Sequence, residues 1–270
     1  MAGRTLDRTL FPALLRYWRS KRGFSQLDLS LVAEVSTRHL SFLETGRAQP
    51  SEEMVLRLAS VLDLSMRDKN ALLGAAGFLQ RFSEPAPTTL AGPAERALDH
   101  MLVQHEPFPL IIFDSSYEVV RHNRAAASLL SRFIAEPQVV SLPLNVFDLL
   151  FDPRLSRPFI EDWERLAQLM LMRLQRELLQ CPNHPRLPAL LERVLGFPEV
   201  PAGWQQPDFA LGAEAVSCFS LQRDDLRLTF LTTITAFAAP QNVTLEELRI
   251  ESYFPADSQT ELLCRELLSS

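Results

Sequence analysis

The 270-residue chain has only three cysteines, Cys181, Cys218 and Cys264, an odd number at wide spacing. Such a set builds no disulfide framework and fits a reducing, cytoplasmic setting. No run of about 18 consecutive apolar residues occurs, so the sequence offers no helix for membrane insertion. The stretch from Met1 to Asp7 lacks an apolar h-region and does not read as a signal peptide. Catalytic signatures are missing as well. There is no Gly-rich phosphate loop, no Gly-x-Ser-x-Gly elbow and no Cys-x-x-Cys. His100 and His105 are five residues apart and do not stack on one helix face, as metal ligands four apart would. The adjacent pairs Asp224-Asp225 and Glu246-Glu247 point their side chains apart, which suits a turn or a helix start. Cys218, in a strand candidate, is expected in the core. These absences lead us to expect a protein that is not an enzyme and carries no metal or resident cofactor.

What is present lies first between Ser25 and Gly46. Ser25 and Ser36 stand where helices should begin, each with a side-chain oxygen able to accept from an orphan backbone N–H. Leu27, Leu31 and Val32 recur at helical spacing and give the first of the two helices an apolar side. Ala33 is small enough for a close helix crossing, and Val35 packs at the turn. In the second helix Leu40 and Leu43 share a face, while Thr37, Arg38, Ser41 and Phe42 fall opposite. Thr45-Gly46 supplies a left-handed stop. This is the layout with which a protein lays a helix into the major groove of DNA. Arginine pairs with guanine O6 and N7, hydroxyls accept or donate, and an aromatic edge contacts a thymine methyl. An ordinary amphipathic helix of a small bundle would share the spacing.

The flanks complete a small domain. Leu10 to Arg22 is a helix candidate with Phe11, Leu14, Leu15 and Trp18 on its apolar side. Pro50-Ser51-Glu52-Glu53 opens another, with Met54, Val55, Leu58 and Leu62 in period, and Ser65 caps a fifth helix through Leu72, Leu73 and Ala76. Charge follows the same division. There are 11 basic and 8 acidic residues up to Leu79, against 16 and 25 in the remainder of a chain whose net charge is −6. An N-terminal domain of modest positive charge can meet phosphates while an acidic remainder stays off the duplex.

Arg22-Gly23-Phe24-Ser25-Gln26, Val35-Ser36 and Leu43-Glu44-Thr45-Gly46-Arg47 resemble the lambda-repressor-like (XRE-type) DNA-binding domains over about Leu14 to Leu62. The resemblance implies that Gln26 and Arg47 contact phosphates, that Ser36, Thr37, Arg38 and Phe42 approach bases, and that Arg19 pairs with Glu44. With Ser41, facing the same way, these form the expected DNA-binding set. Some relatives carry a polar base-reading residue in place of Phe42, so the target sequence does not transfer.

We expect this domain over residues 1–80, a Pro- and Ser/Thr-rich linker over 81–93, and a second domain over 94–270. In the latter, Glu95 to His105 reads as a helix. Pro109 to Asp114 and Tyr117 to Asn123 read as two strands of a hairpin, followed by a helix of small and apolar residues from Ala125 to Leu130. Phe159 to Leu179 and Pro188 to Leu195 are further helix candidates. Val216 to Arg223, Leu226 to Ala238 and Leu248 to Phe254 are closing strands, with Asp224-Asp225 at a hairpin turn and a last helix after Ser258. The expected fold class is therefore multidomain α and α+β: a five-helix lambda-repressor-like domain, then a PAS-like antiparallel sheet with helices.

Pro109 to Leu130 resembles the start of a PAS-like sensor. The stretches Thr232 to Phe237 and Glu246 to Asp257 resemble the ligand-binding domain of MmyB-like transcription regulators, which follows an XRE-type domain. That resemblance implies an apolar small-molecule ligand, with a long-chain fatty acid as the leading candidate. Phe113, Phe147, Leu150, Trp163, Met170, Phe219, Leu231 and Phe237 are candidate lining residues, and Arg121, Asn123 and Arg173 candidate carboxylate anchors. Core packing accounts for such aromatic residues equally well. The expected partners are double-stranded DNA, the apolar ligand and a second copy of the chain. A DNA-binding protein whose C-terminal domain is a ligand-free interaction or dimerisation module is the alternative, and an enzyme fused to a DNA-binding domain a third reading.

Overall fold

In a computed structural model of the chain, residues 9–87, 90, 92–181, 184–204 and 217–269 are described. Contacts divide it into two compact units. The first runs to Pro85 and takes in Phe237–Glu246; the second comprises Ala86–Ala236 and Glu247–Ser270. Among the described residues no helix is long and apolar enough to cross a membrane.

The first unit holds five helices, α1 (Leu10–Lys21), α2 (Gln26–Val32), α3 (Thr37–Glu44), α4 (Glu52–Val61) and α5 (Met66–Ala75). Ser25, Ser36, Ser51 and Ser65 each accept a backbone N–H three residues on, and so fix the starts of α2 to α5. Gly46 adopts φ +71° past the end of α3, the left-handed geometry that lets Arg47 N–H return to Phe42 O at 2.9 Å. Phe11, Leu15 and Trp18 of α1, Leu40 and Leu43 of α3 and Val55, Leu58 and Leu62 around α4 form one core. The expected inner side of α2 is corrected. Leu27, Leu31 and Val32 are 56%, 68% and 58% exposed, whereas Leu29, Ser30 and Ala33 are buried. In a two-turn helix Leu27/Leu31 and Leu29/Ala33 are equally good i,i+4 stripes, and packing selects the second.

Glu44 ties three helices together. It ends α3, is 1% exposed, and receives Arg19 Nε at 2.5 Å and Nη2 at 3.1 Å, while Gln26 Nε2 donates to Oε2 at 2.7 Å. Arg16 Nη2 adds a bond to the Glu44 carbonyl at 2.7 Å. Burial pushes the Glu44 carboxyl up, and the bonds from Arg19 and Gln26 outweigh it, so the group lies below the ordinary carboxylate range. The stretch read as a linker is anchored at its start. Asn70 Oδ1 accepts from Arg81 N–H and Phe82 N–H, each at 3.1 Å, and its Nδ2 donates to Phe82 O at 2.7 Å. Phe237–Glu246, which holds all but the last residue of α11 (Val243–Glu247), completes the unit. Glu246 Oε2 accepts from Met66 N–H at 2.7 Å, Val243 N–H donates to Ser83 O at 3.0 Å, and Thr244 Oγ1 donates to Pro85 O at 2.5 Å.

The second unit opens with α6 (Pro93–Gln104) and contains one antiparallel sheet in the order β2-β1-β5-β4-β3. Its strands are β1 (Leu110–Phe113), β2 (Val119–His122), β3 (Ser217–Arg223), β4 (Leu226–Thr235) and β5 (Arg249–Pro255). The first two and last three lie on either side of α7 (Arg124–Arg132), α8 (Val146–Phe151), α9 (Trp163–Gln180) and α10 (Leu187–Leu195), and α12 (Ser258–Ser269) ends the fold. This is the PAS-like arrangement. Strand bounds differ from expectation at the ends: Val216 lies outside the described residues, and β4 stops at Thr235 rather than Ala238. The long helix starts at Trp163, not Phe159, because Asp162 takes a left-handed conformation (φ +51°) after a single 3-10 turn over Arg157–Phe159. Helix α8 escapes periodicity because Val-Phe-Asp-Leu-Leu-Phe is apolar nearly all round; its start is fixed by Asn145, which accepts from Phe147 N–H at 2.9 Å.

Removing the Glu44 carboxylate leaves the partly buried Arg19 without its counter-ion, so Glu44→Ala should cost about 3 kcal/mol in urea unfolding of the first unit. Because Glu44 is held below its unfolded value, its contribution is complete above the ordinary carboxylate range and is lost as pH falls through the depressed folded value. Unfolding midpoints of wild type and variant should therefore converge in acid.

Candidate DNA interface and ligand cavity

Helix α3 presents Thr37 and Arg38 to solvent, with Ser36 exposed before it and Arg47 exposed after it; Ser41 and Phe42 are half-buried. The Arg38 guanidinium lies 5.4 Å from the centre of the Phe42 ring, a cation–π contact that restrains both on one face. Thr37 Oγ1 sits 2.9 Å from Ser30 Oγ, tying the start of α3 to α2. Ser36 Oγ accepts from His39 N–H at 3.1 Å and retains its own proton for donation. Gln26 gives one amide hydrogen to Glu44, and its second remains available to a phosphate. The seven residues of the DNA-binding set therefore gather around one short helix and its two ends.

In the second unit, a cavity of about 540 Å³ opens between the sheet and α7, α8 and α9. Alternation along the paired strands puts Ile111, Phe219, Leu221, Thr232, Ile234, Glu251 and Tyr253 on a common face, and all of them line it. Helix α9 contributes Arg165, Leu166, Leu169, Met170, Arg173 and Arg176, a stripe at helical spacing with arginines at its ends and an apolar middle. Leu129 and Leu130 of α7 and Leu149 and Leu150 of α8 close the apolar wall. The volume falls within the range of small-molecule sites.

Of the expected lining residues, Leu150, Met170, Phe219 and Leu231 border this space, as does Arg173 among the anchors. The others are placed elsewhere. Phe113 stacks on Tyr117 in the core and Phe147 meets the same ring edge-on, with ring centres 5.3 and 4.7 Å away. Trp163 donates to Leu150 O at 2.7 Å under the Arg157 guanidinium. Phe237 belongs to the first unit. Arg121 pairs with Asp99 on the surface. Asn123 is buried and caps α7: its Oδ1 accepts from Ala126 N–H at 2.9 Å and Leu110 N–H at 3.1 Å, and its Nδ2 donates to Phe108 O at 2.8 Å. Cys218 is exposed and borders the cavity rather than filling the core. Sequence reading missed Arg165, Arg176 and Glu251. The i, i+8, i+11 arginine spacing on α9 was the available signal for two of them; Glu251 gave none, since alternation alone does not say which face of β5 is enclosed.

The polar end of the cavity is organised around Glu177. Arg173 Nε donates to Glu177 Oε1 at 3.2 Å, and Tyr117 Oη donates to the same oxygen at 2.8 Å. The Arg173 guanidinium lies 5.3 Å from the Tyr117 ring centre. Across from it, burial pushes the Glu251 carboxyl up to about 7, against the opposing pull of the Arg173 charge.

A third cluster brings together hydrolase residue types without hydrolase chemistry. His184 Nδ1 accepts from Arg186 N–H at 3.3 Å and Leu187 N–H at 3.1 Å, which puts the imidazole proton on Nε2. That nitrogen, 3.0 Å from Ser115 Oγ, then donates, and Ser115 donates in turn to Glu247 Oε2 at 2.8 Å. The imidazole faces Ser115 as a donor and cannot take its proton, so the cluster caps α10 and braces the turn after β1.

Comparison with known proteins agrees with both halves of this geometry. Residues 15–69 match the helix-turn-helix family, and residues 94–267 match the MmyB-like transcription regulator ligand binding domain. No curated protein matches the chain. Among solved structures, an RNA-binding light-oxygen-voltage receptor aligns with 97% of this chain and 62% of its own length at 13% identity, with a TM-score of 0.27 that carries no argument. With the ligand-binding domain match spanning most of the chain and a helix-turn-helix match ahead of it in sequence, the chain belongs to the MmyB-like transcription regulators, as a DNA-binding regulator with a ligand-binding C-terminal domain.

Proposed function

We propose that this regulator reads a specific DNA sequence through α3 and senses an apolar small molecule, a long-chain fatty acid foremost, in the cavity of its second unit. The observation that carries this reading is the cavity itself: about 540 Å³ with apolar walls and guanidinium groups at the end bordered by Glu251. A carboxylate headed toward Arg173 and Arg176 leaves its alkyl chain among Leu166, Leu169, Met170 and Ile160. We place the protein in the cytoplasm, acting as a homodimer, because two recognition helices one duplex turn apart gain affinity and specificity together. Ligand alters DNA binding by favouring one conformation over another.

Native mass spectrometry of the purified protein, followed by extraction, should find a stoichiometric lipid. Leu169→Trp should fill the space and abolish its retention. A protein that is empty and also ignores added fatty acid would make the second unit an interaction module and leave DNA reading untouched. For α3, Arg38→Ala should cost about 1–3 kcal/mol on the specific site and relax preference at one base pair, as read by competition binding. Arg47→Ala should instead weaken all sequences alike and flatten the salt dependence.

A further inference from the structure

Glu251 lines the cavity and forms no ion pair with a cation among the described residues. Its cross-strand neighbours are Ile111 of β1 and Ile234 of β4. Its hydrogen-bonding neighbours are the hydroxyls of Tyr253, two residues along β5, and Thr232 of β4. The charged groups facing that end are few. Helix α9 brings Arg173, Arg176 and Glu177, and β5 brings Arg249, whose Nη1 donates to Leu248 O at 3.0 Å; the facing positions of β1 and β4 bring none. Arg173 acts on Glu251 through its charge, whereas its Nε hydrogen bond goes to Glu177. Arg176 lines the cavity and makes no hydrogen bond or ion pair with another described residue.

Proximity then constrains what an anion does here. A carboxylate held by Arg173 and Arg176 sets a second negative charge near Glu251 on a largely apolar cavity wall, where like charges are costly. Glu177 already accepts hydrogen bonds from Arg173 and Tyr117 at one oxygen. Glu251, flanked by two isoleucines and pushed up by burial more than its hydroxyl partners and the Arg173 charge pull it down, is the group that yields.

Resting on the ligand reading above, we infer that the polar end is a proton-linked anion site: Arg173 and Arg176 hold the head group of an anionic amphiphile, and Glu251 takes one proton from solvent as it binds. The free carboxyl, already at about 7, moves higher in the complex. Affinity for an anionic chain therefore falls as pH rises above about 7, by up to about tenfold per pH unit, while a neutral chain of the same length shows no such slope. Glu251 acts here as a positioning residue for charge, not as a contact for the alkyl chain.

The test uses full-length, delipidated protein with decanoate and 1-decanol, by calorimetry in buffers of different ionisation enthalpy between about pH 6 and about pH 8.5, a range in which decanoate stays ionised. Wild type should take up close to one proton per decanoate at the alkaline end and lose affinity with rising pH, whereas decanol should do neither. Glu251→Gln should bind decanoate with a flat pH profile, and at alkaline pH about tenfold or more tighter than wild type. Decanoate binding without proton uptake in wild type overturns the proton link and leaves the cavity reading intact; so does a Glu251→Gln profile that keeps the wild-type slope. Failure of both probes to bind overturns the ligand reading itself, and the proton link with it.

Discussion

A carboxylate at the C-terminal end of a helix opposes the helix dipole, and one that is also buried pays for desolvation. Glu44 is both, and the DNA-reading surface depends on how that cost is met. Arg19 from α1 and Gln26 from α2 converge on it, and Arg16 takes the adjacent carbonyl. Helix α3 therefore cannot slide or rotate without breaking bonds to two other helices. Arg38 and Phe42, in cation–π contact six and two residues before Glu44, inherit their direction from that anchor.

The second unit holds a buried carboxylate under the opposite arrangement. Glu44 has a guanidinium in direct contact and stays charged; Glu251 has hydroxyls and isoleucines around it and is pushed toward the neutral form. Low dielectric amplifies whichever neighbour is nearest. A counter-ion at hydrogen-bond distance makes a fixed structural joint, and a counter-ion farther off leaves a group whose charge answers to its surroundings. One chain thus uses the same side chain once as a rivet and once at a site whose contents change.

Much of this was legible beforehand where short-range rules act alone. Four capping serines mark four helix starts, and Gly46 marks an end, because caps and left-handed stops depend only on a few adjacent residues. The hairpin at Asp224 and the alternation of β4 were likewise visible. Tertiary choice was not. The leucines of α2 offer two stripes and packing took the one with Ala33; Asp162 turns left-handed and cuts a helix that periodicity extends to Phe159. The cavity follows the same pattern. Met170, Phe219, Leu231 and Arg173 were named for it from residue type and element, yet Phe113 and Phe147 carry the same signals and pack against Tyr117 instead. Asn123 looked like a polar anchor because it is polar beside an apolar run; its polar atoms go to backbone groups around the start of α7.

Phe237–Glu246 means that the DNA-reading unit is not a continuous piece of sequence. Glu246 supplements Ser65 at the start of α5, and Val243 and Thr244 take up the carbonyls of Ser83 and Pro85. A fragment cut after Pro85 keeps every residue proposed to face DNA but ends on two carbonyls and one amide stripped of their partners. Its last helix should fray first. A recombinant helix-turn-helix fragment that binds DNA weakly would then report a missing ten-residue segment from far along the chain, and not a weak recognition helix.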